Sequence, residues 1–181
     1  MKKLRDLGED ALIARLLGGF SSEGLMVGPG DDCAVLDIGK KDIYQVLKTD
    51  CLVQGIHYGN DADPCRVGWK AVARVISDFA AMGGTAEHLL VTIAMPSDTR
   101  IDYVEKLYSG IQRCASQFGA DICGGETSSV PSGSAVVISV AGTGSVEKRR
   151  CVLRSGGKPG DSVLVTGKLG GSIKGKHLDF T

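Results

Sequence analysis

Asp63-Pro-Cys-Arg-Val-Gly-Trp-Lys-Ala-Val-Ala-Arg-Val-Ile-Ser-Asp-Phe-Ala-Ala-Met-Gly-Gly84 carries the clearest structural instruction in this chain. Asp63 has the side chain of a helix N-cap, and Pro64 fits the first helical position, where a missing N–H costs nothing. Val67, Ala71, Val75 and Phe79 recur at the spacing of one helical face, and Gly83-Gly84 stops the run. The spacing predicts a long helix from Asp63-Pro64 to Met82. Towards the C-terminus, Leu89–Ala94 reads as a strand. A second helix, capped by Asp98 or Thr99, runs to Phe118 with Val104, Leu107, Ile111, Cys114 and Ala115 on its apolar side. Ala120–Cys123 is a short strand ending at a Gly124-Gly125 turn, Ser134–Val146 a long strand and Ser162–Thr166 a further one. Towards the N-terminus, Gly8–Phe20 reads as a short amphipathic helix. Cys33–Ile38 and Ile43–Leu47 read as strands joined by the turn Gly39-Lys-Lys-Asp42. This order predicts an α+β fold, a mixed β-sheet with helices packed on one face. Near-continuous small and β-branched runs at Cys33–Leu47 and Ser134–Val146 would leave exposed edges, so both are expected to bury a dimer interface.

The 181 residues suit one domain or one with a short appendage. Lys+Arg and Asp+Glu number 21 each, which argues against a broad electrostatic nucleic-acid surface. No apolar run approaches the length of a membrane span, and Met1-Lys-Lys-Leu-Arg5 leads into an acid-containing amphipathic stretch unlike a targeting peptide. The six cysteines form no C-x-x-C pair, so reduced, mostly buried thiols in a cytosolic protein are expected, without a zinc site. The glycine-rich end, Lys168 to Thr181, looks like a cut in a longer protein.

Five acids stand beside Gly, Ser or Thr at the ends of apolar stretches: Asp31, Asp32, Asp50, Asp78 and Glu126. Carboxylates that hold Mg²⁺ against a polyphosphate favour such contexts, because the cation wants oxygen ligands and glycine admits the phosphates close to the backbone. Gly28-Pro-Gly-Asp-Asp32 reads either as a tight turn in which an Asp caps its own backbone or as a metal cradle. In an extended segment Asp31 and Asp32 would point to opposite faces, so only one could face a given cleft. Thr49-Asp50 suits a metal site or an ordinary turn, and His57 beyond it could meet a phosphate. Asp78 lies near a helix C-terminus, where an acid is unfavourable and needs a cation, either a metal or an Arg. Gly124-Gly125-Glu126-Thr127 is the best candidate for a nucleotide loop, with amides for phosphate oxygens and Glu126 for the metal. Arg154 offers a guanidinium either to a phosphate or to a surface ion pair. Gly170-Gly-Ser-Ile-Lys-Gly-Lys-His177 falls one residue short of a P-loop, and no protein-kinase signature is present.

Taken in order, Gly30-Asp-Asp-Cys-Ala-Val35, Thr49-Asp50 with Gly55-Ile-His57, Ser77-Asp-Phe-Ala-Ala-Met-Gly83, Gly124-Gly-Glu-Thr127 and Arg154-Ser-Gly-Gly-Lys-Pro-Gly-Asp161 resemble the thiamine-monophosphate kinase family. That family sits in the superfamily of aminoimidazole ribonucleotide synthetase, selenophosphate synthetase and the hydrogenase-maturation dehydratase. The resemblance runs from about residue 8 to the last. It implies an N-terminal ATP-binding domain of the aminoimidazole ribonucleotide synthetase-like fold over 1–150, pairing with a second subunit as a homodimer. Residues 151–181 would begin a C-terminal domain that is cut short. The implied reaction is ATP-dependent phosphorylation of thiamine phosphate to thiamine diphosphate, assisted by several Mg²⁺ ions, in the cytoplasm, with no covalent nucleophile. Carried over, Asp32, Thr49, Asp50, Asp78 and Glu126 would hold metal, with Asp31 assisting. Tyr108, Gly125, Glu126 and Arg154 would contact ATP, and His57 thiamine phosphate. Two positions depart from the family: Glu126 stands where Asp is usual, and Lys48 where Ser is often a metal ligand. The competing readings are another ATP-using enzyme of the superfamily (selenophosphate synthesis, hydrogenase maturation or purine ring closure) and a non-catalytic nucleotide-binding dimerisation module.

Overall fold

A computed structural model describes residues 3–17, 19, 21–165 and 167. Its elements are α1 (Glu9–Leu17), β1 (Leu25–Val27), β2 (Ala34–Leu36), β3 (Ile43–Val53), α2 (Pro64–Ala81), β4 (Thr85–Pro96), α3 (Ile101–Gln117), β5 (Asp121–Val130) and β6 (Val137–Glu147). The six strands form one sheet in the order β1-β2-β3-β6-β4-β5. Only β4 and β5 run parallel, and α3 is their crossover. The α+β reading with a mixed sheet therefore holds, with α2 and α3 on one face of it.

The helix that decides the fold forms as its sequence dictates. Asp63 Oδ1 accepts the Arg66 N–H at 2.9 Å, Pro64 occupies the first turn, and Val67, Ala71, Val75 and Phe79 are buried. Gly83, at φ +74°, ends it in a conformation that side chains disfavour. Facing this stripe, α3 buries Leu107, Ile111, Cys114 and Ala115, while Val104 is half-buried. The strands contribute Val46, Leu52, Leu89, Val91, Ile138 and Val140. Each such buried side chain stabilises the fold by about 1.5–3 kcal/mol.

Several boundaries differ from the sequence expectation. β3 does not stop at Leu47 but runs to Val53, because β6 offers it an unbroken antiparallel ladder from Ile43↔Glu147 to Val53↔Val137. Lys48, Thr49 and Asp50 are thus mid-strand. The expected Gly124-Gly125 turn lies within β5, where Gly125 pairs with Val91 so closely that a Cβ would meet the Val91 carbonyl oxygen at 1.7 Å. The cap of α3 is neither Asp98 nor Thr99 but Arg100, without a side-chain bond; Asp98 instead accepts from Ser132 Oγ at 2.8 Å. Residues 162–165 form no strand, and Thr166 lies outside the described residues, as does Phe20 beyond the shorter α1. β1 was not anticipated. β6 is flanked by β3 and β4, so it has no free edge; what it presents outward is a face. Cys51 and Cys123 are exposed, against the expectation of mostly buried thiols, while Cys33 and Cys114 are buried and all six are free.

Two glycines set the distance between the helices. A Cβ on Gly68 would lie 1.9 Å from the Leu107 carbonyl oxygen, and one on Gly110 would lie 1.8 Å from that of Cys65. We expect Gly110→Ala to destabilise the protein by about 2 kcal/mol despite alanine's better helix propensity, because overpacking outweighs that gain. Urea unfolding at an unchanged or higher midpoint would overturn this.

Candidate functional site

Strand alternation divides the functional candidates between the two faces of the sheet. On β3, Val46, Lys48, Asp50 and Leu52 turn towards α2, while Leu47, Thr49 and Cys51 turn to the open face. Along α2, Lys70, Arg74 and Asp78 follow at four-residue steps, which aligns them in one stripe. The two rows meet in register. Arg74 Nε donates to Asp50 Oδ2 at 2.9 Å, and Lys48 Nζ lies 2.5 Å from Asp78 Oδ2. Lys70 Nζ donates to the His57 carbonyl at 2.7 Å.

Asp78 obtains the cation that its place near a helix C-terminus demands, and that cation is Lys48. Their side chains are 22% and 23% exposed, so the pair is only partly screened by water. Cys33 lies nearby; burial first, and the Asp78 charge second, push its thiol up to about 12. It stays protonated and is no nucleophile. His57 accepts the Val53 N–H on Nδ1 at 2.9 Å. Burial, and then the Arg74 charge, hold its pKa below the ordinary 6.5, and a bond that consumes the Nδ1 lone pair also suits the neutral ring. Asp50, Arg74, Asp78 and Lys70 border a cleft of about 450 Å³ together with Trp69, Ala73 and Ser77, and Lys48 meets it through its ion pair with Asp78.

A second cluster forms where residues 151–154 meet the Gly28–Asp32 turn. The Arg154 guanidinium holds Asp32 Oδ1 at 2.5 Å through Nη2 and 3.1 Å through Nε, and its backbone N–H donates to Asp31 Oδ2 at 3.1 Å. Asp31 Oδ1 also accepts the Asp32 N–H at 2.9 Å. Both acids therefore face Arg154, contrary to the expectation that only one could face a given cleft. This segment is a turn, and the strand begins only at Ala34.

The remaining candidates stand apart. Thr49 lines a cavity of about 610 Å³ on the open face, with Leu47, His88, Leu90, Ala141 and Thr143. Glu126 is exposed and accepts from Ser128 Oγ at 3.3 Å. It is aligned through Thr92 and Ser139 with Cys51, which places it on the open face, three strands or about 14 Å from β3. Tyr108 is half-buried on α3, across the sheet from Glu126. Among the described residues no three His, Cys, Asp or Glu converge to hold a metal. The oxygen donors are of the right kind for Mg²⁺, but Asp32, Asp50 and Asp78 each already carry a cationic partner. The sequence reading missed Arg74, Lys70 and Trp69; the four-residue spacing from Lys70 through Arg74 to Asp78 was the available signal.

Known proteins are similar to this chain in sequence and in fold. The thiamine-monophosphate kinase of Mycobacterium tuberculosis is 38% identical over 177 residues, covering 97% of this chain and 52% of that protein. That of Bacillus subtilis is 37% identical over 153 residues, covering 84% and 46%. The structure of AaThiL complexed with AMPPCP and TMP superposes with a TM-score of 0.76 at 31% identity, over 87% of this chain and 48% of that one. A HypE–HypF complex, at 22% identity and a TM-score of 0.64, shares the fold. The chain spans about half the length of the relatives it matches. Residues 30–146 match the family described as AIR synthase related protein, N-terminal domain, and this chain belongs to that family.

Proposed function

We propose that this chain supplies the ATP-binding half of an enzyme that phosphorylates thiamine phosphate to thiamine diphosphate in the cytoplasm. The observation that carries this reading is the likeness to AaThiL complexed with AMPPCP and TMP, joined to a cleft lined by Asp50, Arg74 and Asp78, with Lys48 paired to Asp78. Residues 1–150 form the binding domain and 151–181 begin a second. The exposed apolar run Val163, Leu164 and Val165 supports this, since such a run calls for a covering element.

Phosphoryl transfer needs positioning and charge neutralisation more than covalent chemistry. Mg²⁺ held through Asp32, Asp50 and Asp78, with Asp31 assisting, would neutralise charge on the transferred phosphate. Thr49 and Glu126, assigned to metal by the resemblance, lie on the opposite face of the sheet and do not join them within one chain. Arg154 pulls the Asp31-Asp32 turn against the 151–154 segment and, with Gly125 and Tyr108, is assigned to ATP. Neutral His57, fixed by the Val53 amide, offers its Nε2 edge to thiamine phosphate. Trp69 lines the cleft beside Asp50, Arg74 and Asp78.

A homodimer belongs to this reading. Leu47 and Leu90 are 37% and 53% exposed on the open face, and a second copy there would cover them. Thr49 and Glu126, separated on one chain, both lie on that face. Sedimentation at micromolar concentration is expected to give a dimer, and a monomer would refute the interface.

In the full-length protein with ATP and thiamine phosphate, Asp50→Asn and Asp78→Asn should each lower kcat about 100-fold or more without loss of fold. Wild-type turnover in either variant removes that residue from the site. Because the folded-state pKa of His57 is lowered, the unfolded chain binds its proton more readily between that value and 6.5. The stability this contributes is fully present above pH 6.5 and is lost as pH falls through the window. An NMR titration should find the His57 midpoint below 6.5, and Arg74→Ala should raise it; a midpoint at or above 6.5 would contradict the neutral assignment.

A further inference from the structure

Three cationic side chains of the protein already neutralise the carboxylates of its candidate site. Lys48 Nζ lies 2.5 Å from Asp78, Arg74 Nε 2.9 Å from Asp50, and Arg154 Nη2 2.5 Å from Asp32. The first two pairs join the same two elements; Asp50, Arg74 and Asp78 border one cleft, and Lys48 reaches it through Asp78. An ammonium has three N–H donors and a guanidinium five. Lys48 reaches Asp78 with one of its donors, and Arg74 reaches Asp50 through Nε, with its side chain 37% exposed. Each can therefore grip a carboxylate on one side and an oxyanion on the other, which is the bridging task of a divalent ion between protein and phosphate.

We propose that Lys48 and Arg74 are built-in cations that link Asp78 and Asp50 to the phosphate groups of the nucleotide, so that the site works with fewer divalent ions than its carboxylates would suggest. This rests on the ATP-using reading given above. The four side chains sum to zero charge before any ligand arrives, whereas two bare carboxylates would present two negative charges. An incoming divalent ion would have to displace Lys48 from Asp78 Oδ2 or share the carboxylate with it, and like charges so close oppose sharing. A polyphosphate meets no such obstacle, since it adds negative charge beside two fixed positive ones.

The experiment counts ions and measures nucleotide affinity without relying on turnover. Mn²⁺ bound per chain in the presence of AMPPCP is measured by electron paramagnetic resonance for wild type, Lys48→Ser and Lys48→Arg. AMPPCP affinity is then measured in EDTA. Lys48→Ser is expected to take up one more Mn²⁺ than wild type and to lose about tenfold in AMPPCP affinity in EDTA. Lys48→Arg should keep both wild-type values. Equal Mn²⁺ counts in wild type and Lys48→Ser, with AMPPCP bound to both and equally in EDTA, overturn the inference while leaving the ATP-using reading intact. Failure of wild type to bind AMPPCP even with Mn²⁺ overturns both. If Lys48→Ser does not fold, Arg74→Ala applies the same test from the other side of the cleft: a loss of affinity in EDTA supports the proposal, and wild-type affinity refutes it.

Discussion

Helix α2 can lie where it does only because glycines remove side chains from its path. Gly68 and Gly110 bring its backbone against α3, and on the sheet side Gly142 leaves room for the Phe79 ring, whose Cε2 would stand 3.3 Å from a Cβ there. Every charged group of the candidate cleft takes its position from that docking. Arg74 and Asp78 are one helical turn apart on α2, and their partners Asp50 and Lys48 are two residues apart on β3. A shift of α2 outward would move Arg74 and Asp78 away from both partners together. The packing of apolar residues at the helix interface and the electrostatics of the cleft are thus one constraint.

The pairing of acids with internal cations has its own energetic logic. A partly buried carboxylate near a helix C-terminus, such as Asp78, is opposed by desolvation and by the helix dipole. Lys48 offsets both, at the entropic cost of holding a flexible side chain still. Asp50 and Arg74 repeat the arrangement on the next step of the ladder, and Asp32 and Arg154 repeat it at the Gly28–Asp32 turn. Such pairs contribute little net stability, but they set the geometry in which phosphate groups would be received.

The helices were legible in the sequence because their information is local: Asp63, Pro64 and the apolar spacing of α2 stand within a few residues of one another. Strand limits were less legible because they depend on partners far along the chain. Nothing near Leu47 announces that β6 will carry β3 on to Val53. Gly124-Gly125 reads as a turn locally and becomes strand only against the Val91 backbone. The acids of the candidate site were recognisable by type and by their small-residue neighbours. Their partners were not, since Arg74 looks like an ordinary helical surface residue until Asp50 is seen opposite it. Alternation along β3 already separates Thr49 from Asp50, but which face belongs to the helices is a property of the assembled sheet.

The position of β6 also bears on how the chain reaches its native state during synthesis. Among the six described strands it is the last made, yet it lies between β3 and β4, and β3 must wait for it while roughly ninety residues emerge. At ribosomal rates of about 5–20 residues per second that interval is on the order of ten seconds. Through that interval β3 lacks its long neighbour, and β4 can pair only with β5. Until β6 is made, a nascent chain of this design carries two unpaired edges at what will become the middle of its sheet, and such edges are templates for pairing with other chains.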